Sequence, residues 1–117
     1  MGRYDAYFKG LFAMPDIEGE SKVTTLGEAV RRHVKPGMTV HISQDSRAAV
    51  CELLRQWWGK RPQFTLVMSI MGQHALNLVH AGLLKKLVTS NASDLFPAPG
   101  PSAIMQRAFK EKSLEIE

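Results

Sequence analysis

The chain has a single cysteine, Cys51, among 117 residues. An internal disulfide is excluded, as is a Cys-rich zinc site. The expected setting is therefore reducing and cytoplasmic. No run of about 18 apolar residues occurs, so neither a spanning helix nor a membrane partner is expected. The opening, Met1-Gly2-Arg3-Tyr4-Asp5, lacks the basic stretch and apolar block of a secretory signal. Three motifs with self-contained chemistry are also missing: the Gly-x-Gly-x-x-Gly turn, the Gly-Lys-Ser phosphate loop and the His-Glu-x-x-His pair. The four histidines, His33, His41, His74 and His80, are dispersed. His74 and His80 are six apart and fall on different faces of a helix, so no metal is expected. Among the four, His41 stands out because it interrupts a strand.

What is present is ordinary for a folded domain: 44% hydrophobic and 22% charged residues. This length buries about two thirds of the unfolded surface, enough for a core without staples. The net charge of +4 raises the question of nucleic acid. The basic residues are scattered, however, at Arg31-Arg32, Lys35, Lys60-Arg61 and Lys85-Lys86. Acids are interleaved at Asp16, Glu18, Glu20, Glu28, Glu52 and Glu111. Without a stripe of basic and aromatic residues, no nucleic-acid partner is expected.

Residues 1–20 read as an arm or linker, with Tyr4, Tyr7, Phe8, Leu11 and Phe12 as its apolar content. From Thr25-Leu26-Gly27-Glu28, a capping box, apolar spacing predicts a helix that stops at Lys35-Pro36-Gly37. Residues 38–43 form a β-branched strand. Ala49, Val50, Leu53, Leu54, Trp57 and Trp58 recur at three and four, predicting a helix over 46–58. A second strand covers 64–69. A helix covers 73–81, with Gly82 at its end. A third strand covers 87–90, 91–101 is a loop, a helix runs from Ser102 to about Lys112, and a fourth strand opens at Leu114. Strands alternating with helices predict an α/β fold: an open, mostly parallel sheet with crossover helices. The strands at Phe64 and Leu87 read as buried on both faces.

In such sheets ligands sit beyond the carboxyl ends of the strands. That selects Ser43, Gln44, Asp45, Ser46 and Arg47 in the first loop. It selects Ser69, Met71, Gly72 and Gln73 in the second, and Ser90 and Asn91 in the third. Arg47, in a helix's first turn, opposes the helix dipole; a bound anion would offset that. Otherwise Arg47 pairs with Asp45 or Glu52. Cys51 lies inside a helix, away from the position of an activated thiolate, and reads as a small core residue. Of Trp57-Trp58, one ring is expected in the core and the other at the helix end.

Four segments together resemble the alpha subunits of family I CoA-transferases, the glutaconate CoA-transferase group especially. They are Ser21-Lys22-Val23-Thr24-Thr25-Leu26-Gly27-Glu28-Ala29-Val30 with Val34-Lys35-Pro36-Gly37-Met38-Thr39-Val40; Ala49-Val50 with Leu53-Leu54-Arg55; 80–90; and Arg107-Ala108-Phe109 with Ser113-Leu114-Glu115-Ile116-Glu117. The resemblance runs over 21–117 and covers the first third to half of such a subunit, implying the N-terminal part of a larger domain. It implies a CoA-transferase-like, layered αβα fold and a partner, a beta-type subunit or C-terminal half, that supplies the attacking glutamate. No catalytic residue is expected in this chain. Coenzyme A enters only as acyl-CoA substrate, with a carboxylic acid as acceptor, and no permanently bound cofactor is expected. One departure is plain: His41-Ile42-Ser43 stands where the family commonly has Gly-Gly-Phe, and the loop after it is short. The alternatives are therefore another acyl-CoA reaction, decarboxylation or hydrolysis, or a non-catalytic interaction subunit.

Overall fold

The computed structural model describes residues 21, 23–43, 46–93 and 102–117. The expected arm at 1–20, and Gln44 and Asp45, lie outside the described residues.

Helix α1 (Leu26–His33) begins at Thr25, whose hydroxyl accepts from the Glu28 amide at 3.2 Å. The reciprocal half of the capping box does not form. The Glu28 carboxylate turns instead to Arg31 and Arg32, at 3.2 and 2.6 Å. Strand β1 (Thr39–His41) leads to α2 (Arg47–Trp57), then β2 (Phe64–Val67) and β3 (Ile70–Met71). The expected helix after it is split into a 3-10 turn (Gln73–Ala75) and a short α3 (Leu76–His80). Gly82 follows at φ +67°, and the Leu83 amide donates to Leu78 O at 3.1 Å, which closes the helix end. Strand β4 (Leu84–Val88) starts three residues before the expected strand, and β5 (Asn91–Ala92) lies where a loop was expected. Helix α4 (Ala103–Glu111) and β6 (Glu115–Ile116) complete the order.

The main sheet runs β1-β2-β4-β6, and every pairing is parallel. Each crossover steps one strand in the same direction. Right-handed crossovers then put their helices on one face. Packing agrees: Val50 and Leu53 of α2, Leu76 and Leu78 of α3 and Met105 of α4 share one core with Phe64, Leu66 and Leu87. Trp57 packs edge-on against Phe64, centroids 5.4 Å apart, while Trp58 is exposed, as the sequence suggested. Cys51 is exposed, not a core residue. Helix periodicity placed it one step off the buried stripe of Val50, Glu52 and Leu53.

The opposite face is set by register. Thr39, Thr65, Lys86 and Glu115 are in line, and so are His41, Val67 and Val88. Among the described residues this face is only partly covered. Thr65, Val67, Lys86 and Val88 are half-buried, and Thr39, His41, Glu115 and Glu117 are exposed. The strands expected to be buried on both faces are therefore buried on one. A bulge between Phe64 and Thr65 shifts the β2–β4 register.

Helices α1 and α2 are joined by one polar cluster. Glu52 is buried at 5% exposure. It accepts from Arg55 and, at 2.6 Å, from Gln56 Nε2, which also donates to Gly27 O at 2.8 Å. A Cβ at Gly27 would stand 3.2 Å from Glu52 Oε1, so a glycine permits the close approach.

Edge strand β6 is held by Lys86, which bonds Glu115 at 3.0 Å and Glu117 at 2.5 Å. The Lys86 bond pulls the Glu117 pKa below its usual 4.5. Glu117 first and Glu115 next raise Lys86 above 10.5. The carboxylate's contribution is therefore present above pH 4.5 and lost as pH falls through the lowered value. The ammonium's is present below pH 10.5 and lost as pH rises through the raised one. Both groups meet solvent, so the effect is modest and salt-sensitive.

Two measurements follow. Leu66→Ala, on the helix side of β2, lowers unfolding stability by about 2–5 kcal/mol. Val67→Ala, on the other side, costs less than about 1.5 kcal/mol; urea unfolding reads both. In an acid titration below neutrality, the Glu117 amide resonance moves as β6 loosens, and Lys86→Met removes most of that movement.

Candidate functional site

The carboxyl ends of β2 and β4 do not diverge into free loops. Both strands bend and pair again. Ile70 aligns with Asn91 and Met71 with Ala92, again in parallel. The bend is knotted at the Ser69 carbonyl, which accepts the Ser90 amide at 3.1 Å and the Ser90 hydroxyl. The single Thr89 proton serves Asn91 O at 2.9 Å or Ser69 O at 3.2 Å. Two expected binding loops are thus, in large part, a second small sheet. The alternation of Ile70-Met71 and Asn91-Ala92 is too short to be read as strand in the sequence; pairing with each other creates it.

This second sheet decides where the candidates go. Met71 is fully buried in the core. Gly72 passes so close to the neighbouring strand that a Cβ there would lie 2.7 Å from Ser93 O. Gln73 opens the 3-10 turn. Asn91 is exposed in β5. In the first loop, the Ser43 and Ser46 hydroxyls are 3.2 Å apart. Ser46 is the N-cap residue of α2 without a side-chain capping bond. Arg47 is exposed and makes no ion pair among the described residues, since Arg55 and Gln56 occupy Glu52.

A shallow depression of about 450 Å³ lies where the strand ends meet the less covered sheet face. It is lined by His41, Val67, Met68, Ser69, Val88, Thr89, Ser90 and Glu117. Of the candidate residues, it brings together Ser69 and Ser90. His41, Val67, Val88 and Glu117 form one row across four strands, roughly 14 Å from end to end at ordinary strand spacing. Sequence reasoning singled out His41 and met Glu117 only as the end of a segment that carries the resemblance. It did not join them, because a row across a parallel sheet is made by crossovers; the available signal was a histidine between Val40 and Ile42.

Chemically the depression offers an imidazole, hydroxyls, a carboxylate held by Lys86, and an apolar floor. Among the described residues, no group of three His, Cys, Asp or Glu side chains could hold a metal ion. No described helix is long and apolar enough to cross a membrane. A groove at the opposite, amino ends of the strands, with cavities of about 330 and 230 Å³, gathers Arg61, His80, Arg107 and Glu111. There Glu111 and the carbonyl end of α4 oppose the guanidinium charges, which leaves it less suited to an anion.

A search of solved structures finds similarity to the decarboxylase AibA/AibB, crystallised as a variant with one cysteine replaced by serine. Identity is 24% and the TM-score 0.63, over 80% of this chain. The chain spans 37% of the length of that protein's chain. At this identity the likeness shows the fold: α/β, with a parallel sheet and crossover helices. No protein-family model matches the chain, and neither does any curated protein.

Gly72→Ala tests the second sheet. The Ser93 amide, bonded to Met71 O at 3.1 Å, loses at least about tenfold in hydrogen-exchange protection, equivalent to about 1.4 kcal/mol. The Leu66 amide keeps its own.

Proposed function

We propose that the chain is the alpha subunit, or the N-terminal portion of one, of a CoA-transferase-like enzyme. It would work with a beta-type subunit or C-terminal half that brings the attacking glutamate. The observation that carries this reading is the fold match over 80% of the chain, laid on the resemblance of the four segments. The site's chemistry is consistent with half a reaction vessel. The one acidic side chain among its lining residues, Glu117, is engaged by Lys86, and the Thr89 and Ser90 hydroxyls are hydrogen-bonded to carbonyls.

In the reaction the resemblance implies, the partner's carboxylate attacks the thioester carbonyl. The C–S bond breaks, CoA leaves as thiolate and a mixed anhydride forms. The thiolate then attacks the glutamyl carbonyl and releases the first acid. The acceptor carboxylate then attacks the glutamyl thioester and expels CoA thiolate, which attacks the acceptor's carbonyl in the second anhydride. CoA thus passes to the acceptor, the glutamate carboxylate is freed, and one difficult exchange becomes several easier ones. Within this chain, Ser43, Ser46 and Arg47 at the start of α2 would meet an anionic part of CoA. Gln44 and Asp45 belong to the same loop. Ser69, Ser90 and Asn91 would face the acyl end, Gly72 and Gln73 would shape the adjoining turn, and Met71 would support it from the core.

A second reading is another acyl-CoA reaction, decarboxylation in particular. It is favoured by His41-Ile42-Ser43 standing in place of Gly-Gly-Phe, and the similar solved structure is that of a decarboxylase. Co-expression with a beta-type chain, followed by an assay of CoA exchange between a thioester and a labelled carboxylate, separates the readings. Exchange by the pair and none by the 117-residue chain alone is expected. Loss of CO2 without exchange favours the second reading. Thioester turnover by the chain alone overturns both.

A further inference from the structure

We propose that the depression at the strand ends is a subsite for a short, apolar monocarboxylate, oriented by His41, with its hydrocarbon chain lying over Val67 and Val88. The role of this subsite, holding the acid from which or to which CoA moves, rests on the CoA-transferase reading; its ligand chemistry does not.

The argument is one of donors, acceptors and charge. His41 is exposed at one end of the row and makes no hydrogen bond to another described residue. Next to its strand is β2, which brings Thr65 and Val67 to this face and, beyond the bend, Ser69. The Ser69 hydroxyl is likewise uncommitted among the described residues. Both groups can donate to a carboxylate. The far side is different. The hydroxyl protons of Thr89 and Ser90 point to backbone carbonyls, so those oxygens offer only lone pairs to a ligand. Beyond them stands Glu117 with Glu115 and Lys86, two carboxylates to one ammonium. Donors thus gather at the β1–β2 side and acceptors and excess negative charge at the β4–β6 side. Between them lies the apolar floor of Val67 and Val88. A carboxylate is accepted at one end and repelled at the other, and the middle favours hydrocarbon. A dicarboxylate of the same length would lay its second charge on the apolar floor of Val67 and Val88, on the side nearer the excess negative charge of Glu115 and Glu117.

The test is a chemical-shift titration of the 15N-labelled 117-residue chain at constant ionic strength. Butyrate and isovalerate are compared with succinate and glutarate. Perturbations are expected at His41, Val67, Val88 and Thr89, with the monocarboxylates tighter by at least about threefold. His41→Leu weakens butyrate by about threefold to tenfold, and His41→Gln, which keeps a donor, retains part of the affinity. The same spectra report whether each variant is folded. Equal or tighter binding of the dicarboxylates, indifference to His41→Leu, perturbation confined to the Arg61–Arg107 groove, or no binding at all overturns the proposal. Because this readout needs neither partner nor turnover, its failure leaves the exchange assay to judge the CoA-transferase reading independently.

Discussion

The pairing of β2 with β4 is the contact on which the rest of the structure depends. It joins segments about twenty residues apart in sequence and brings Phe64, Leu66 and Leu87 into one buried layer. The chain between them crosses over as the 3-10 turn and α3. Beyond the strands the same two segments meet again as β3 and β5, so the pairing that builds the core also builds the rim of the candidate site. Because β1 and β6 add to either side of this pair in the same sense, the helices gather on one face. The other face keeps a mixed surface of threonine, valine, lysine, histidine and glutamate.

That asymmetry sets which side chains the sheet can carry. A sheet with one face well covered can carry side chains on the other without burying them. His41 and Glu117 rely on this: each would be costly in a sealed core, and each is tolerable at an open strand end. The Lys86 bridge to Glu115 and Glu117 ties a two-residue edge strand to the sheet through side chains as well as backbone. The buried Glu52 plays a different part. With Gln56 and Gly27 it fixes α1 against α2 in the helix layer.

Much of the fold was legible in the sequence, and for identifiable reasons. The apolar spacing of α2 from Val50 to Trp57, the Thr25 cap and Gly82 are local signals, and each stands where its physics puts it. The alternation of strands and crossover helices was enough for a parallel sheet. Errors arose where a residue's role depends on a partner distant in sequence or on a local competitor. Glu28 fits a capping box, but nearby Arg31 and Arg32 compete for its carboxylate. Asn91-Ala92 carries no strand pattern of its own and becomes a strand because Ile70-Met71 lies beside it. Met71 looked available in a polar turn, and the second sheet turns it into the core.

The sequence by itself determined the alternation of elements, their caps and stops, and the polar character of the strand ends, because those depend on contacts within a few residues. Only the tertiary structure decided which strand ends share a crevice, which face of the sheet is the less covered among the described residues, and that His41, Val67, Val88 and Glu117 stand in one row. The physical reason is that register between parallel strands is fixed by crossover packing and by a bulge between Phe64 and Thr65. Neither is encoded in any short stretch of chain.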